Sequence, residues 1–195
     1  MKINENDLPE VLVALGANLP SKVGLPSTTL KFALANIRLE IGRVMSVSRF
    51  FKTPCFPRGL GPDYINAVAS FTFGGKPNDL LQILHQIEAK FGRKRKNRWG
   101  GRVLDLDLLA FGNQISPTFD EYLKWQNMPK PEQIKKVPSK LILPHPRIQD
   151  RGFVLKPLMD IAQDWRHPVC GLTVSQMYAN LSIDERAGIL LAFEN

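Results

Sequence analysis

The chain has 195 residues, 44% hydrophobic and 23% charged, a composition typical of a globular protein rather than a disordered or fibrous one. This length favours one domain. The sequence contains no apolar run of membrane-spanning length, and its polar start lacks the apolar centre of an export signal. We therefore expect a single cytoplasmic domain over 1–195, with 1–10 as a polar extension. Cys55 and Cys170 lie far apart without a C-x-x-C spacing, which favours reduced thiols.

The positive charge is concentrated in one segment. Lysine and arginine exceed aspartate and glutamate by 26 to 18, a net charge of +8. Residues 90–102 contain seven basic residues and no acidic one, so they supply +7 and leave +1 for the rest. A concentrated cationic loop suits a compact polyanion such as a nucleoside triphosphate, whereas a general nucleic-acid coat would spread over a face. An RNA-gripping loop and a localisation tag remain open alternatives from composition alone.

The first half of the chain alternates short apolar runs with helical periodicity. Residues 11–15 predict a buried strand, and apolar residues at helical spacing over 26–41 predict a helix that ends at Gly42. Residues 44–52 predict a second strand. Residues 64–73 predict a third, because one face is apolar and the other begins with Tyr64 and Asn66.

A second helix is predicted over 77–91, ended by Gly92, and a fourth strand over 103–111. The order β-α-β-β-α-β predicts an α+β fold with a ferredoxin-like core, in which two helices pack on one face of a mainly antiparallel sheet. A C-terminal extension follows, with a final helix at 174–181.

Residues 114–140 differ from the rest of the chain. They contain four prolines and show no sustained period. We therefore expect a surface insertion with a helical turn near 121–126.

The strongest candidate for chemistry is the fourth strand with the basic loop before it. Asp105 and Asp107 share one face of a strand, while the leucines between and beside them face the core. Paired carboxylates suit Mg²⁺, which also takes phosphate oxygens and water. By itself, a D-x-D is more often a pair of solvated aspartates. The arginines entering the strand favour phosphoryl transfer, which depends on positioning and charge neutralisation, and the sequence has no P-loop.

Three further features have both a functional and an ordinary structural interpretation. Tyr64 and Asn66 place an aromatic plane beside an amide, which suits a flat heterocycle, or they are simply exposed at the start of a strand. His85 and Glu88 share a helix face, solvated by default. His145 lies between two prolines, where it either donates to phosphate or caps a turn.

Taken together, these segments resemble 6-hydroxymethyl-7,8-dihydropterin pyrophosphokinase of the folate pathway. The likeness runs in order from about residue 11 to 181, and its most specific part is an R-W-G-x-R-x-x-D-L-D block. The segments that carry it are Leu15-Gly16-Ala17-Asn18, Thr53-Pro54, Pro62-Asp63-Tyr64-Ile65-Asn66, Arg98-Trp99-Gly100-Gly101-Arg102-Val103-Leu104-Asp105-Leu106-Asp107, Leu143-Pro144-His145-Pro146 and Arg151-Gly152-Phe153.

The resemblance implies transfer of pyrophosphate from ATP to the hydroxymethyl group of the pterin, with release of AMP. It implies that Asp105 and Asp107 hold two Mg²⁺ ions, and that Arg93, Arg102 and Asp107 are catalytic. The residues implied to bind the nucleotide are His85, Glu88, Arg95, Trp99, Lys140, His145 and Arg151. Those implied to line the pterin pocket are Thr53, Pro54, Phe56, Tyr64, Asn66 and Phe153.

The resemblance also carries expectations about partners and some departures. We expect small-molecule substrates, no nucleic acid, no membrane, a monomer, and no fused dihydropteroate synthase domain. Gly101 stands where the family usually has proline or another small residue, His85 where glutamine is common, and Cys55 where proline is frequent.

Two alternatives remain at this stage. The ferredoxin-like topology is shared with RNA-recognition modules, although their K/R-G-F/Y-G/A-F-V pattern is absent. A different Mg²⁺-dependent nucleotidyl or phosphoryl transferase explains the aspartates but not the face formed by Tyr64 and Asn66.

Overall fold

The computed structural model describes residues 8–42, 46–55, 59, 61–93 and 101–192, except the side chains of residues 130, 133 and 134. These parts form one sheet with helices on both of its faces. The strands are β1 (Glu10–Ala17), β2 (Ser46–Val47), β3 (Phe51–Thr53), β4 (Tyr64–Thr72), β5 (Asp105–Phe111) and β6 (Leu190–Leu191). The helices are α1 (Pro26–Ile41), α2 (Pro77–Lys90), α3 (Phe119–Gln126), α4 (Lys130–Lys135), α5 (Gly152–Ile161), α6 (Val174–Asn180) and α7 (Ile183–Arg186).

The sheet confirms the predicted fold class. Its strands lie in the order β5-β1-β4-β3-β6, with β2 also beside β4, and every pairing is antiparallel. With α1 and α2 as the two crossovers, this is the ferredoxin-like βαββαβ arrangement. The central pair runs from Glu10 opposite Thr72 to Ala17 opposite Ile65. The edge strand β6, in the C-terminal extension, was not predicted.

The prediction of one continuous strand over 44–52 was wrong. Val47 lies opposite Ala69 and Phe51 opposite Asn66, so four steps along this edge match three along β4. Such an extra residue is a β-bulge. The hydroxyl of Ser48 accepts a hydrogen bond from the Val68 amide at 2.9 Å, which repairs the ladder at the interruption.

The two faces of the sheet carry two separate hydrophobic cores. The first lies under α1 and α2 and takes one set of alternating strand residues, including Val13, Ala69 and Leu106. The second lies under α5 and α6 and takes the other set, including Leu12 and Val68. The predicted polar face of β4 is therefore buried for most of its length by the C-terminal extension. Since Leu106 and Leu108 face the first core, the aspartates beside them face the other side.

The segment 114–140 contains more regular structure than predicted. The turn expected near 121–126 forms the last six of the eight residues of α3, which begins where the Thr118 hydroxyl accepts from the Glu121 amide at 3.2 Å, and α4 follows. Tyr122 has no exposed surface, and its hydroxyl lies 3.0 Å from Nε2 of His167. The structure thus ties this insertion to the C-terminal extension.

Within the described parts of the chain, no helix combines the length and apolar character needed to cross a membrane. The longest is α1, with 16 residues.

Candidate active site

The candidate site begins with a hollow on the sheet at Gly16. Asn66 of β4 lies opposite Gly16 on one side, and Asp105 of β5 lies opposite it on the other. Residues directly opposite in antiparallel strands project from the same face, and strands are spaced about 4.8 Å apart, so the backbones of Asn66 and Asp105 are about 10 Å apart. Gly16 leaves the space between them unfilled. A Cβ there would lie 2.9 Å from Oδ1 of Asn66, so glycine is required.

One wall of this hollow is polar and aromatic. Nδ2 of Asn66 donates to the Thr53 hydroxyl at 2.7 Å, and both side chains are buried. This bond fixes the amide orientation. Tyr64 is half-buried two residues before Asn66, its ring within reach of a Cβ built on Gly16, and burial raises the pKa of its hydroxyl. Three of the predicted pterin residues are thereby brought together, with Pro54 next to Thr53 in the chain.

Of the two remaining predicted pterin residues, the structure describes only Phe153. Phe153 is 40% exposed at the start of α5, and its ring lies 5.6 Å from the Arg151 guanidinium carbon, an arrangement suited to a cation–π contact. Phe56 lies outside the described residues.

Asn18 was not predicted as a site residue, yet it holds the edge of the hollow. It is 4% exposed. Its Nδ2 donates to the Pro62 carbonyl at 3.0 Å, and its Oδ1 accepts from the Arg102 amide at 2.6 Å. The Asn18 amide in turn donates to the Arg102 carbonyl at 2.9 Å. The only sequence signal was the G-x-N that follows the first strand.

A network of acids and arginines occupies the start of β5. Arg93 binds Oε1 of Glu88 through Nη1 and lies 2.6 Å from Oδ1 of Asp105. Arg102 donates to Oδ2 of the same aspartate. Glu88 is 1% exposed and also accepts from the Leu106 amide at 2.8 Å. The described contacts of Glu88 are thus with protein groups, and they hold Arg93 beside Asp105.

This network also sets the charge state of Arg102. Burial by itself would lower the pKa of its guanidinium. The nearby Asp105 carboxylate, with a smaller contribution from Asp107, outweighs burial and raises that pKa above its ordinary value. Arg102 therefore stays cationic beside the strand.

Asp105 and Asp107 together fit a hard cation. Oδ1 of Asp105 is buried and accepts no hydrogen bond from any described residue; its contact with Arg93 is an ion pair without hydrogen-bond geometry. Buried carboxylate oxygens rarely lack a partner. The side chain of Asp107 is 40% exposed, with Arg151 3.6 Å away. Among the described residues no cluster of three or more acidic, histidine or cysteine ligands exists, so phosphate and water oxygens would have to complete Mg²⁺ coordination.

A cleft of about 1240 Å³ extends from these groups along α2. It collects most residues predicted to meet the nucleotide or to act in catalysis. Those in its wall are His85, Glu88, Arg93, Arg102, Asp107, Lys140, His145 and Arg151. Arg95 and Trp99 lie outside the described residues. Arg147 and Trp125 also line the cleft, and neither was predicted, because neither belongs to a motif that indicated chemistry.

His145 is held neutral in the cleft wall. Burial, together with the charges of Arg151 and Arg147, lowers the pKa of its imidazole well below the usual 6.5. Its Nδ1 accepts from the Arg147 amide at 3.1 Å, so Nε2 carries the proton. The ring therefore caps a turn, as one of the two interpretations expected, and keeps a second nitrogen able to donate.

Comparison with known proteins identifies the family. The protein-family model described as 7,8-dihydro-6-hydroxymethylpterin-pyrophosphokinase (HPPK) matches residues 12–163 of this chain. The chain belongs to the HPPK family. Enzymes of this family transfer pyrophosphate to hydroxymethyldihydropterin in folate biosynthesis, and the predicted family is confirmed.

Similar relatives carry the corresponding enzyme name, 2-amino-4-hydroxy-6-hydroxymethyldihydropteridine pyrophosphokinase. One from Synechocystis is 33% identical over 178 residues, which cover 90% of this chain and 80% of the relative. Another from Haemophilus influenzae is 37% identical over 153 residues, which cover 78% and 81%.

Solved HPPK-DHPS structures share the fold. Wild-type HPPK-DHPS of Plasmodium falciparum superposes with a TM-score of 0.61 at 14% identity, covering 89% of this chain and 44% of that one. HPPK-DHPS in complex with substrates gives 0.61 at 15% identity, covering 88% and 45%. The chain thus spans less than half of these longer proteins.

Proposed function

We propose that this HPPK family member binds ATP in the cleft along α2 and the pterin in the hollow over Gly16, and transfers the β,γ-diphosphate from one to the other. One observation carries this assignment: Asp107 lines the cleft, while Asp105, on the same face of β5, lies opposite Gly16 in the hollow. A phosphorus atom bound at these aspartates has the nucleotide on one side and the acceptor on the other. Because both hydrophobic cores share one sheet, we also propose that the chain forms a single domain.

The hollow suits a flat, hydrogen-bonding ring. The Asn66 amide is locked by Thr53, so its carbonyl oxygen is presented at a fixed angle over Gly16. A carbonyl oxygen accepts from ring or amino N–H groups of a pterin. The half-buried Tyr64 ring supplies apolar contact beside it. These groups support a heterocycle held by its edge, with its substituent directed towards the aspartates.

The cleft supplies positive charge for the phosphates. Arg102 and Arg151 each contact an aspartate of β5, while Lys140 and neutral His145 extend the row of donors. Pyrophosphoryl transfer shifts negative charge onto the oxygen that leaves with AMP. Fixed guanidinium groups placed beforehand stabilise that change without reorganising.

We propose that Asp105 and Asp107 would hold two Mg²⁺ ions. When bound, the ions would neutralise phosphate charge and lower the pKa of the acceptor hydroxyl. Two observations support this proposal: Oδ1 of Asp105 has an ion pair with Arg93 but no described hydrogen bond, and the Asp107 carboxylate is partly exposed. The side chains of the cleft and the hollow would bind and orient the substrates, and the ions would supply electrophilic assistance.

Replacement of Asp107 by asparagine tests the metal role. Asp107→Asn keeps the size of the side chain but removes a charged ligand. We expect turnover to fall by more than about 100-fold, because even outer-shell partners of metal ligands are worth about 10- to 100-fold. Asp120→Asn, on the exposed first turn of α3, should retain wild-type turnover.

The assay is pterin-dependent release of AMP across a range of Mg²⁺ concentrations, with thermal unfolding to show that both variants are folded. Wild-type turnover in Asp107→Asn at every Mg²⁺ concentration would remove the metal role. Absence of pterin-dependent AMP in the wild type would instead remove the proposed reaction.

A further inference from the structure

The cleft has a charged end and, further along α2, a second end where apolar side chains lie together with the polar Asn78; we call this second end the apolar end. Glu88 binds the Leu106 amide and so fixes the charged end beside Asp105. Leu81, seven residues earlier in α2, also lines the cleft and lies about 10 Å further along the helix axis. Leu108 and Ile142 line the wall with it. That span resembles the separation between the base and the middle phosphate of an extended nucleotide.

The insertion 114–140 leaves and rejoins the fold at the apolar end. Ser116 follows β5 and pairs with Leu143 through reciprocal backbone hydrogen bonds of 2.9 and 3.1 Å. Both ends of the insertion are thereby held beyond β5, on the far side from Asp105. Trp125, Val137 and Pro138 of the insertion stand in the cleft wall. The insertion therefore adds a wall to the cleft rather than only a surface loop.

The indole of Trp125 is held in place within that wall. Its Nε1 donates to Oε1 of Glu121, one turn earlier in α3, at 3.1 Å. Tyr122, on the adjoining turn, is anchored by His167. Since the indole N–H is already bonded within the helix, the ring's main remaining capacity is contact through its faces.

We propose that Trp125 packs against the purine of ATP, so that the insertion forms a nucleobase-binding wall. This inference rests on the proposed function of the cleft. The reasons are that Trp125 lines the same cleft as the apolar side chains of Leu81 and Ile142 and that its ring is held by Glu121. Contact through ring faces tolerates any flat base, so guanine and adenine nucleotides should both depend on Trp125.

Calorimetric titration compares two probes in the presence of Mg²⁺. The first is an ATP analogue with a methylene group between the α and β phosphorus atoms, and the second is tripolyphosphate, which has no base. Trp125→Leu fills space without an aromatic face, Trp125→Phe retains one, and Phe119→Ala removes an exposed ring from the same helix as a control. We expect Trp125→Leu to weaken the analogue about 10-fold, as expected for loss of one stacked base, and Trp125→Phe to stay close to wild type.

Tripolyphosphate affinity should change by less than twofold in all three variants, and Phe119→Ala should bind both probes as the wild type does. Equal analogue affinity in wild type and Trp125→Leu would overturn the inference, and so would equal weakening of both probes. If Trp125→Leu does not fold, Trp125→Met, which also lacks an aromatic face, takes its place, and an analogue affinity equal to that of the wild type in this variant would overturn the inference. Failure of the inference alone leaves pterin-dependent AMP release by the wild type intact, whereas failure of the proposed function abolishes it.

Discussion

His167 predicts how stability depends on pH. This residue is fully buried, and burial lowers the pKa of its imidazole from 6.5 to about 4. Its Nδ1 faces the amides of Val169 and Cys170 at 3.2 and 3.3 Å, so a proton there would displace two donors. Below pH 6.5 this imidazole binds a proton in the unfolded chain, whereas in the folded chain it stays neutral until the pH approaches 4. Stability is therefore present above that pH and is lost as the pH falls towards 4.

The magnitude follows from the two pKa values. Between pH 7.5 and pH 5.0, His167 should cost about 2 kcal/mol of unfolding free energy. His145 should add a loss of the same sign, because its pKa is also depressed. We would measure urea unfolding at both pH values for wild type and His167→Gln, which removes the titrating group. The variant should lose about 2 kcal/mol less than the wild type over this interval.

Comparing the two pH values separates the effect of titration from the effect of altered packing, because any packing energy lost in His167→Gln is lost at both pH values. His145→Gln should remove the separate part of the pH dependence that His145 contributes, and should leave the part that comes from His167. If wild type and His167→Gln lose the same unfolding free energy between the two pH values, the assignment of His167 as a buried neutral imidazole is wrong.

Two further variants test the hollow and the network. Gly16→Ala places a methyl group 2.9 Å from Oδ1 of Asn66 and should raise the KM for pterin about 10-fold, the equivalent of about 1.4 kcal/mol of overpacking. The affinity of Gly16→Ala for ATP should stay unchanged. The control is Gly61→Ala, in which the new methyl group would lie 3.9 Å from Nδ2 of Asn18, and which should keep the wild-type pterin KM and ATP affinity. An unaltered pterin KM in Gly16→Ala would contradict the proposed pterin site. Glu88→Gln removes the negative charge that holds Arg93. We expect it to lower the unfolding free energy measured in urea by about 2 kcal/mol. Equal urea unfolding midpoints for this variant and the wild type would refute this prediction.

The sequence was most informative where structure follows from local spacing. The D-x-D on β5 required only the two-residue period of a strand to place Asp105 and Asp107 on one face and the leucines in the core. Helices α1 and α2 were equally accessible, since proline begins each and their apolar spacing runs unbroken to the turn that ends them. The βαββαβ order, and with it the ferredoxin-like sheet, followed from these elements.

What the sequence did not reveal depends on contacts between distant residues. The second face of β4 looked polar because Asn66 and Ser70 alternate along it, yet α5 and α6, which begin more than 80 positions later, cover Val68 on that face. The helix α3 has only eight residues, and its one buried residue, Tyr122, bonds to His167, 45 positions away. No local window contains either partner.

The residues of the candidate site also fall into those that the sequence indicated and those that only the folded structure revealed. Its charged residues were recognisable because they cluster within motifs, whereas Asn18 joins segments 44 and 84 positions away and is recognisable only in the folded chain. Trp125 lies in an insertion without a motif. Its position in the cleft wall depends on where that insertion leaves and rejoins the sheet.

The central claim is that a phosphorus atom held at Asp105 and Asp107 is attacked by the pterin hydroxyl, with the whole diphosphate transferred. Phosphorus NMR of a complete reaction tests it most directly, with wild-type chain, Mg²⁺, ATP and 6-hydroxymethyl-7,8-dihydropterin together in solution. We predict AMP and a pterin diphosphate ester in equal amounts, and neither product when pterin is omitted. ADP with a pterin monophosphate, or AMP formed equally fast without pterin, would contradict the account.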